Sequence, residues 1–198
     1  MLNDFWKFFA QTAAPQLAHR AVTMRQTFEY LDKCADPLII VETGSVRTKN
    51  NWAGDGQSTV LFDRYAQHRE GCVVHTVDID PKVTHQCLAL VSDRVQAHTG
   101  NSIAFLSQLA KCGAVPSTSW LFYLDSYDVN WSDPYPAAAH HLQELVAISP
   151  LIQPDTLIVV DDSPSQPRGK GFLIKDYAEA IGATILFCDY QLGLTGLR

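Results

Sequence analysis

The sequence predicts an α/β fold built on a parallel sheet, and three observations carry that expectation. Between residues 36 and 190, short apolar runs rich in branched residues alternate with polar turns and longer amphipathic stretches, the pattern of strands alternating with helices. Three of those runs end in an aspartate and one in a glutamate, which puts carboxylates where an open sheet binds its ligands. With 46% hydrophobic and 18% charged residues in 198, the composition is that of one globular domain, or one with a small appendage, and excludes collagen-like, mucin-like and disordered chains.

Strands are expected at 37–42 (PLIIVE), 72–78 (CVVHTVD), 94–98 (RVQAH), 119–125 (SWLFYLD), 156–161 (TLIVVD) and 183–188 (ATILFC). Helices fit between them at 57–68, 81–91, 102–111, 134–148 and 171–181, with Pro81 and Pro134 suited to a first turn. Residues 3–33 read as one or two amphipathic helices before the first strand. The spacing of Phe5, Phe8 and Phe9 suits packing on the body of the chain or on a second subunit, so a homo-oligomer formed through these helices is one expectation. The chain divides into an N-terminal helical extension, 1–35, and a main domain, 36–198.

A net charge of −6 argues against a broad phosphate-binding face, so a small-molecule partner is expected and nucleic acid is not. Five cysteines with no Cys-x-x-Cys spacing read as reduced thiols, mostly buried. The N-terminus lacks the basic start and apolar centre of a signal peptide, and no run reaches the roughly 18 apolar residues of a membrane span. A soluble, cytoplasmic protein with no membrane partner is the expectation.

Four strand ends carry the candidate chemistry. At Glu42-Thr43-Gly44-Ser45 a glycine just past the strand allows a tight turn and close approach to a ligand, or serves a surface loop. The loop that follows, 46–56, leads into Gly54-Asp55-Gly56-Gln57-Ser58-Thr59, a degenerate dinucleotide fingerprint. It lacks the third glycine and lies about ten residues beyond the strand, which weakens nicotinamide binding. In the stretch 75–81 (HTVDIDP), Asp78 is placed to accept hydrogen bonds from ribose hydroxyls, and Asp80 to cap the helix that begins at Pro81. Asp125, and Asp161 with Asp162, each follow a core strand; if those strands are neighbours their ends lie about 5 Å apart. Such carboxylates repel one another unless a cation holds them, and Mg²⁺ or a similar divalent ion suits hard oxygen ligands. A helix cap plus a solvated acidic pair accounts for any one of these aspartates and is strained by all of them together.

In that order, Glu42-Thr43-Gly44, Thr76-Val77-Asp78-Ile79-Asp80-Pro81, Gly100-Asn101-Ser102, Leu124-Asp125 and Val160-Asp161-Asp162 resemble class I S-adenosylmethionine-dependent methyltransferases. More narrowly they resemble the metal-dependent O-methyltransferases, a group with catechol, macrocin-type and cephalosporin-hydroxylase-like members. The resemblance implies a Rossmann-like fold, a mostly parallel seven-stranded sheet between helices, whose last antiparallel strand must be short because only residues 192–198 remain for it. It implies that Glu42 and Gly44 meet the methionine end of S-adenosylmethionine, Asp78 the ribose, and Asn101 and Ser102 the adenine. Asp125 would serve both cofactor and metal, with Asp161 and Asp162 completing the ligands of Mg²⁺ or a similar divalent cation. In such enzymes the cation lowers the hydroxyl pKa of the acceptor and orients its oxygen.

The sequence departs from that pattern at Asp128, where the catechol enzymes carry a lysine base three residues after the first metal aspartate. The catalytic set expected here is therefore Asp125 with Asp128, His140 or His141. Adjacent helical residues point about 100° apart, so one histidine of the pair would face the site and the other the surface or the core. Arg47, Lys49 and Trp52 in the long loop either cover the cofactor, hold an anionic acceptor or are solvated. Arg168 and Lys170 in 163–171 either meet substrate or belong to a flexible turn. The expected function is S-adenosylmethionine-dependent, divalent-metal-assisted O-methylation of a hydroxylated small molecule such as a sugar or polyol. The rivals are a metal-dependent phosphohydrolase using the same aspartates, for which no phosphate cradle or nucleophile is found, a nicotinamide oxidoreductase, and a non-catalytic cofactor-binding domain.

Overall fold

The computed structural model describes residues 4–113 and 117–197. Residues 1–3 of the expected extension and residue 198 of the main domain lie outside the described residues. The chain opens with α1 (Asp4–Phe8), a π-helical turn (Phe9–Ala13) and two 3₁₀ turns (Ala14–Gln16 and Ala18–Arg20), and then α2 (Ala21–Leu31). The alternation that follows is β1 (Leu38–Thr43), α3 (Ser58–Gln67), β2 (Cys72–Asp78), α4 (Pro81–Leu88), β3 (Val95–Thr99), α5 (Ser102–Lys111), β4 (Ser119–Leu124), α6 (Tyr135–Ile148), β5 (Leu157–Val160), α7 (Phe172–Ile181), β6 (Thr184–Cys188) and β7 (Leu192–Thr195). All six strands expected from apolar runs form, each within one residue of its expected ends. The short last strand is β7.

The described residues build one seven-stranded sheet in the order β3-β2-β1-β4-β5-β7-β6, parallel except for β7. Side chains alternate across it. Leu38, Ile40, Leu121, Tyr123, Leu157 and Val159 face one layer, which holds α3 and the N-terminal extension. Val41, Phe122, Leu124, Ile158 and Val160 face the other, formed by α5, α6 and α7 through Leu106, Leu145, Ile148 and Ile174. Both faces of the central strands are therefore dry, which is why their sequences read as near-continuous apolar runs.

Two helical expectations change in the folded chain. The helix expected at 81–91 stops at Leu88 because the buried Asp63 carboxylate of α3 accepts from Ser92 Oγ (2.5 Å) and Ser92 N (3.2 Å), drawing the chain out of the helix. The extension is not one or two regular helices either. The π-helical turn and Pro15, which lacks an N–H, break its periodicity. Phe5 and Phe9 are consequently buried on the chain's own body, while Phe8 is only partly buried and meets Trp52 (ring centroids 6.4 Å). Of the five cysteines, all free, Cys72 and Cys87 are buried and Cys112 is exposed. Among the described residues, no helix is long and apolar enough to cross a membrane.

Phe28 of α2 anchors the extension. Its ring lies 4.6 Å from Phe5, 5.8 Å from Phe9, 5.9 Å from Phe62 and 5.1 Å from Tyr65, centroid to centroid. Phe28→Ala is expected to lower the unfolding free energy by about 3–5 kcal/mol, from lost burial and the cavity left behind. A denaturant titration against wild type measures it.

Candidate active site

Strand order reverses between β1 and β4, and two adjoining hollows open at their carboxyl ends. The first is lined by Asp78, Ile79, Asn101, Ser102, Tyr127 and His140, the second by Arg47, Asp55, Asp125 and Asp128; Gly44, Asp78 and Ser126 border both. Gly44 makes the junction possible. Its φ is +83°, and a Cβ there would stand 2.6 Å from the Asp125 carbonyl oxygen, so only glycine lets the ends of β1 and β4 approach.

Asp78 is held in place by two backbone N–H donors, Ser45 (3.2 Å) and Asp80 (2.9 Å). Asp80 accepts from Lys82 N (2.8 Å) and caps α4 as expected, while Asp78 borders both hollows. Asn101 caps α5 by accepting from Ala104 N (3.0 Å), and Ser102 Oγ lies 3.1 Å from His140 Nε2. Ile79, to which the sequence alone assigns no role, is 73% exposed beside Asp78. An apolar side chain left open next to a fixed carboxylate suits the flat face of a base above a ribose.

Two buried acids support these hollows from beneath. Glu42, expected to touch the cofactor, is fully buried and borders neither hollow. It accepts from Ser58 Oγ (2.6 Å), Thr59 Oγ1 (2.6 Å) and Thr76 Oγ1 (2.7 Å), tying β1 to β2 and to the first turn of α3. Burial pushes its pKa up to about 7 against the pull of those three hydroxyls. Glu144 of α6 accepts from Ser126 Oγ (2.6 Å) and Thr43 Oγ1 (3.3 Å). Its only trace in the sequence is an acid at helical spacing from His141 within a mainly apolar face.

The histidine pair separates as helical geometry requires. His140 lines the first hollow, with its Nε2 3.1 Å from Ser102 Oγ. His141 is fully buried; its Nδ1–H donates to the Ala137 carbonyl (2.7 Å), and burial lowers its pKa to about 4. With no route to either hollow, His141 leaves the set of candidate bases. Asp128 stands at the rim of the second hollow, exposed and paired with Arg47 (3.2 Å). Lys49 and Trp52 line a different cleft, and Arg168 lies over the Phe172 ring (5.1 Å).

β4 and β5 are neighbours, with Leu124 opposite Val160, so Asp125 and Asp161 emerge side by side. Oxygens of Asp125, Asp161 and Asp162 come within 4.8 Å of one another. Two buried cations already sit among them. Arg20, from the extension, bonds Asp161 through Nε (2.9 Å) and Nη2 (2.8 Å) and Asp162 through Nη2 (3.1 Å). The Lys170 ammonium bonds Asp125 Oδ1 and lies 3.1 Å from Asp162 Oδ2. Gln191 Nε2 donates to Asp161 (2.8 Å) and Tyr190 Oη to Asp162 (2.6 Å). Burial alone would raise the Asp161 pKa, but Arg20 holds it below the usual carboxylate range. Asp125 lies above that range, because burial and its two acidic neighbours outweigh Lys170.

No spacing in the sequence singles out Arg20, and Lys170 is neither a substrate contact nor part of a flexible turn but is buried against Asp125 and Asp162. Gly56, read as part of a degenerate fingerprint, instead makes room for Arg20: a Cβ there would meet its Cδ at 2.8 Å.

A family model described as a methyltransferase domain matches residues 53–163, more than half of the chain. The chain belongs to the class I S-adenosylmethionine-dependent methyltransferases. No curated protein matches its sequence significantly. Among solved structures, human methyltransferase-like protein 13, in complex with SAH, is similar over 100% of this chain and 83% of its own, at 16% identity and a TM-score of 0.50, a likeness of fold. A SAM-dependent methyltransferase from Aquifex aeolicus aligns over 96% of both chains at 11% identity and a TM-score of 0.47.

The hollows of this methyltransferase have the donors and acceptors to take S-adenosylmethionine: a fixed carboxylate at Asp78, an open apolar face at Ile79, and a narrow junction at Gly44. The aspartate trio does not fit a divalent ion in the same way. Even with all three carboxylates ionised, Arg20 and Lys170 leave at most one excess negative charge, so an added divalent ion would leave an excess positive charge in a buried site. It would also have to expel Lys170 from the oxygens of Asp125 and Asp162.

The raised pKa of Glu42 sets a pH dependence. Its carboxyl holds a proton more tightly folded than unfolded, so between an ordinary value near 4.5 and the folded value of about 7 the folded state binds more protons and stability falls as pH rises. Glu42→Gln removes that loss. Its stability relative to wild type is expected to climb through this window by about 1.4 kcal/mol per pH unit at most, then level off. Unfolding titrations of both proteins at pH 4 to 9 test it; a difference that does not vary with pH would refute it.

Proposed function

We propose that this methyltransferase transfers a methyl group to a hydroxyl oxygen of a small polar acceptor such as a sugar or polyol, with Asp125 taking the hydroxyl proton. The observation that carries the reading is that Asp125 alone of the aspartate trio lines the second hollow, which shares Gly44 and Asp78 with the first. S-adenosylmethionine, when bound, supplies a methyl group on a positively charged sulfur, which leaves as S-adenosylhomocysteine with the former S–CH₃ bonding pair.

The residues divide this work. Asp78 accepts hydrogen bonds from the ribose, Ile79 and Asn101 flank the adenine, and Gly44 gives the methionine end passage toward Asp125. The acceptor enters over a rim of Arg47, Asp55 and Asp128, joined by ion pairs of 3.2 Å and 3.9 Å. This polar rim can exchange hydrogen bonds with several hydroxyl groups. Its carboxylates repel a phosphodiester chain, which agrees with a small-molecule partner rather than nucleic acid. No step is assigned to a metal ion.

Calorimetric titration with S-adenosylhomocysteine tests the cofactor assignment. Wild type is expected to bind with an affinity on the order of micromolar. Asp78→Ala is expected to bind roughly 10- to 100-fold more weakly, the loss of charge-assisted hydrogen bonds to the ribose. Undetectable binding to folded wild type sinks the reading. Asp125→Asn separates binding from chemistry: its affinity for S-adenosylhomocysteine should stay near wild type, while methyl transfer to a panel of sugars and polyols falls by about 10²–10⁴ in kcat. Equal turnover by wild type and Asp125→Asn would remove Asp125 as the base.

A further inference from the structure

The segment between β5 and α7 is folded to deliver one side chain. Asp162 has a φ of +44°, unusual for a residue with a Cβ, and turns the chain directly after Asp161. Lys170 N–H then donates back to the Asp162 carbonyl (2.8 Å), closing the loop on its own start. Ser163 Oγ donates to the Asp161 carbonyl (2.8 Å) and accepts from Gly171 N (2.9 Å). Gly169 has no freedom to be anything else: a Cβ there would stand 1.9 Å from the Asp162 carbonyl oxygen, a backbone atom that cannot give way. The outcome is a lysine whose side chain is 1% exposed, with its ammonium on Asp125 and Asp162. From the opposite side Arg20, 141 residues away in sequence, covers both oxygens of Asp161 and one of Asp162.

We propose that Lys170 and Arg20 are the resident cations of this site, standing on the oxygens where the family resemblance expects a divalent ion, so that this methyltransferase neither binds nor needs a metal there. Lys170 is a positioning residue: it acts through Asp125, fixing that carboxylate at the edge of the hollow as a bound ion would. The charge balance follows from sequence and fold together. A site built for a divalent ion leaves its carboxylates to face the ion and water. Here each of the three carboxylates is bonded to an internal cation, and those of Asp161 and Asp162 also accept from Gln191 and Tyr190. The function assigned to Asp125 rests on the methyl-transfer reading; the exclusion of metal rests on the cluster's geometry and charge.

Manganese tests this in the full chain. When Mn²⁺ is titrated into wild type, the paramagnetic resonance signal of free Mn²⁺ is expected to remain undiminished, and affinity for S-adenosylhomocysteine to agree within about twofold with and without EDTA. Lys170→Met leaves three carboxylates facing Arg20 alone, and it is expected to bind Mn²⁺ at least roughly tenfold more tightly than wild type. Adding Asp125→Asn should abolish that gain, and Lys170→Arg should show none. A merely structural lysine would not create a metal site when removed. Stoichiometric Mn²⁺ binding by wild type that Asp161→Asn abolishes, or a tenfold rise in S-adenosylhomocysteine affinity with Mg²⁺, would overturn the proposal. So would a folded Lys170→Met that gains no Mn²⁺ affinity. If Lys170→Met does not fold, the wild-type Mn²⁺ titration decides alone. Failure to bind S-adenosylhomocysteine in any condition would instead strike the methyl-transfer reading and leave the Mn²⁺ result standing.

Discussion

Asp161 is fully buried at the end of β5, and it stays ionised there because the Arg20 guanidinium lies against both of its oxygens. A lone carboxylate in that position would carry a large desolvation penalty, so the burial of each residue depends on the other. The pairing has consequences on both sides. It pins the N-terminal extension to the sheet end where the chemistry is expected, and Gly56 is shaped around the arginine. It also leaves Asp125 and Asp162 as the remaining charges, which Lys170 meets from the loop after β5. An extension that composition alone would class as packing thus supplies part of the electrostatics of the site.

The same logic of buried charge runs beneath the hollows. Glu42 and Glu144 are both fully buried, and each is satisfied by hydroxyl groups from different elements: Ser58, Thr59 and Thr76 for the first, Thr43 and Ser126 for the second. These short bonds make the ends of β1, β2, β4, α3 and α6 a single rigid floor. On that floor Gly44 can hold β1 and β4 close enough for two hollows to meet. Rigid support under an open cleft is what a methyl transfer needs, because its catalysis is largely orientation.

Much of this was legible from local signals. The strands and the Asp80 cap follow from apolar runs and from a short acid placed before a proline, interactions that close within a few residues. Asp78 and Asp125 were legible as strand-end acids because a parallel sheet gathers its carboxyl ends on one edge. Where local signals misled, a distant partner had intervened. Asp63 shortens α4 by capturing Ser92, and the π-helical turn sends Phe5 and Phe9 inward while Phe8 lies only partly buried. Glu42 had the right position along β1 but points beneath the hollow, toward hydroxyls from α3 and β2 that no spacing rule connects to it.

By itself, then, the sequence determined the α/β class, the strand ends that carry acids and the Asp80 cap of α4, because each depends on the periodicity or capping chemistry of a short stretch. Only the tertiary structure decided which histidine faces a hollow, and what neutralises the aspartate trio. Those outcomes depend on groups far apart in the chain meeting in a buried, low-dielectric place, where a charge is tolerated only with its partner. Arg20 beside Asp161 and Lys170 beside Asp125 are such partners, and no residue spacing announces them.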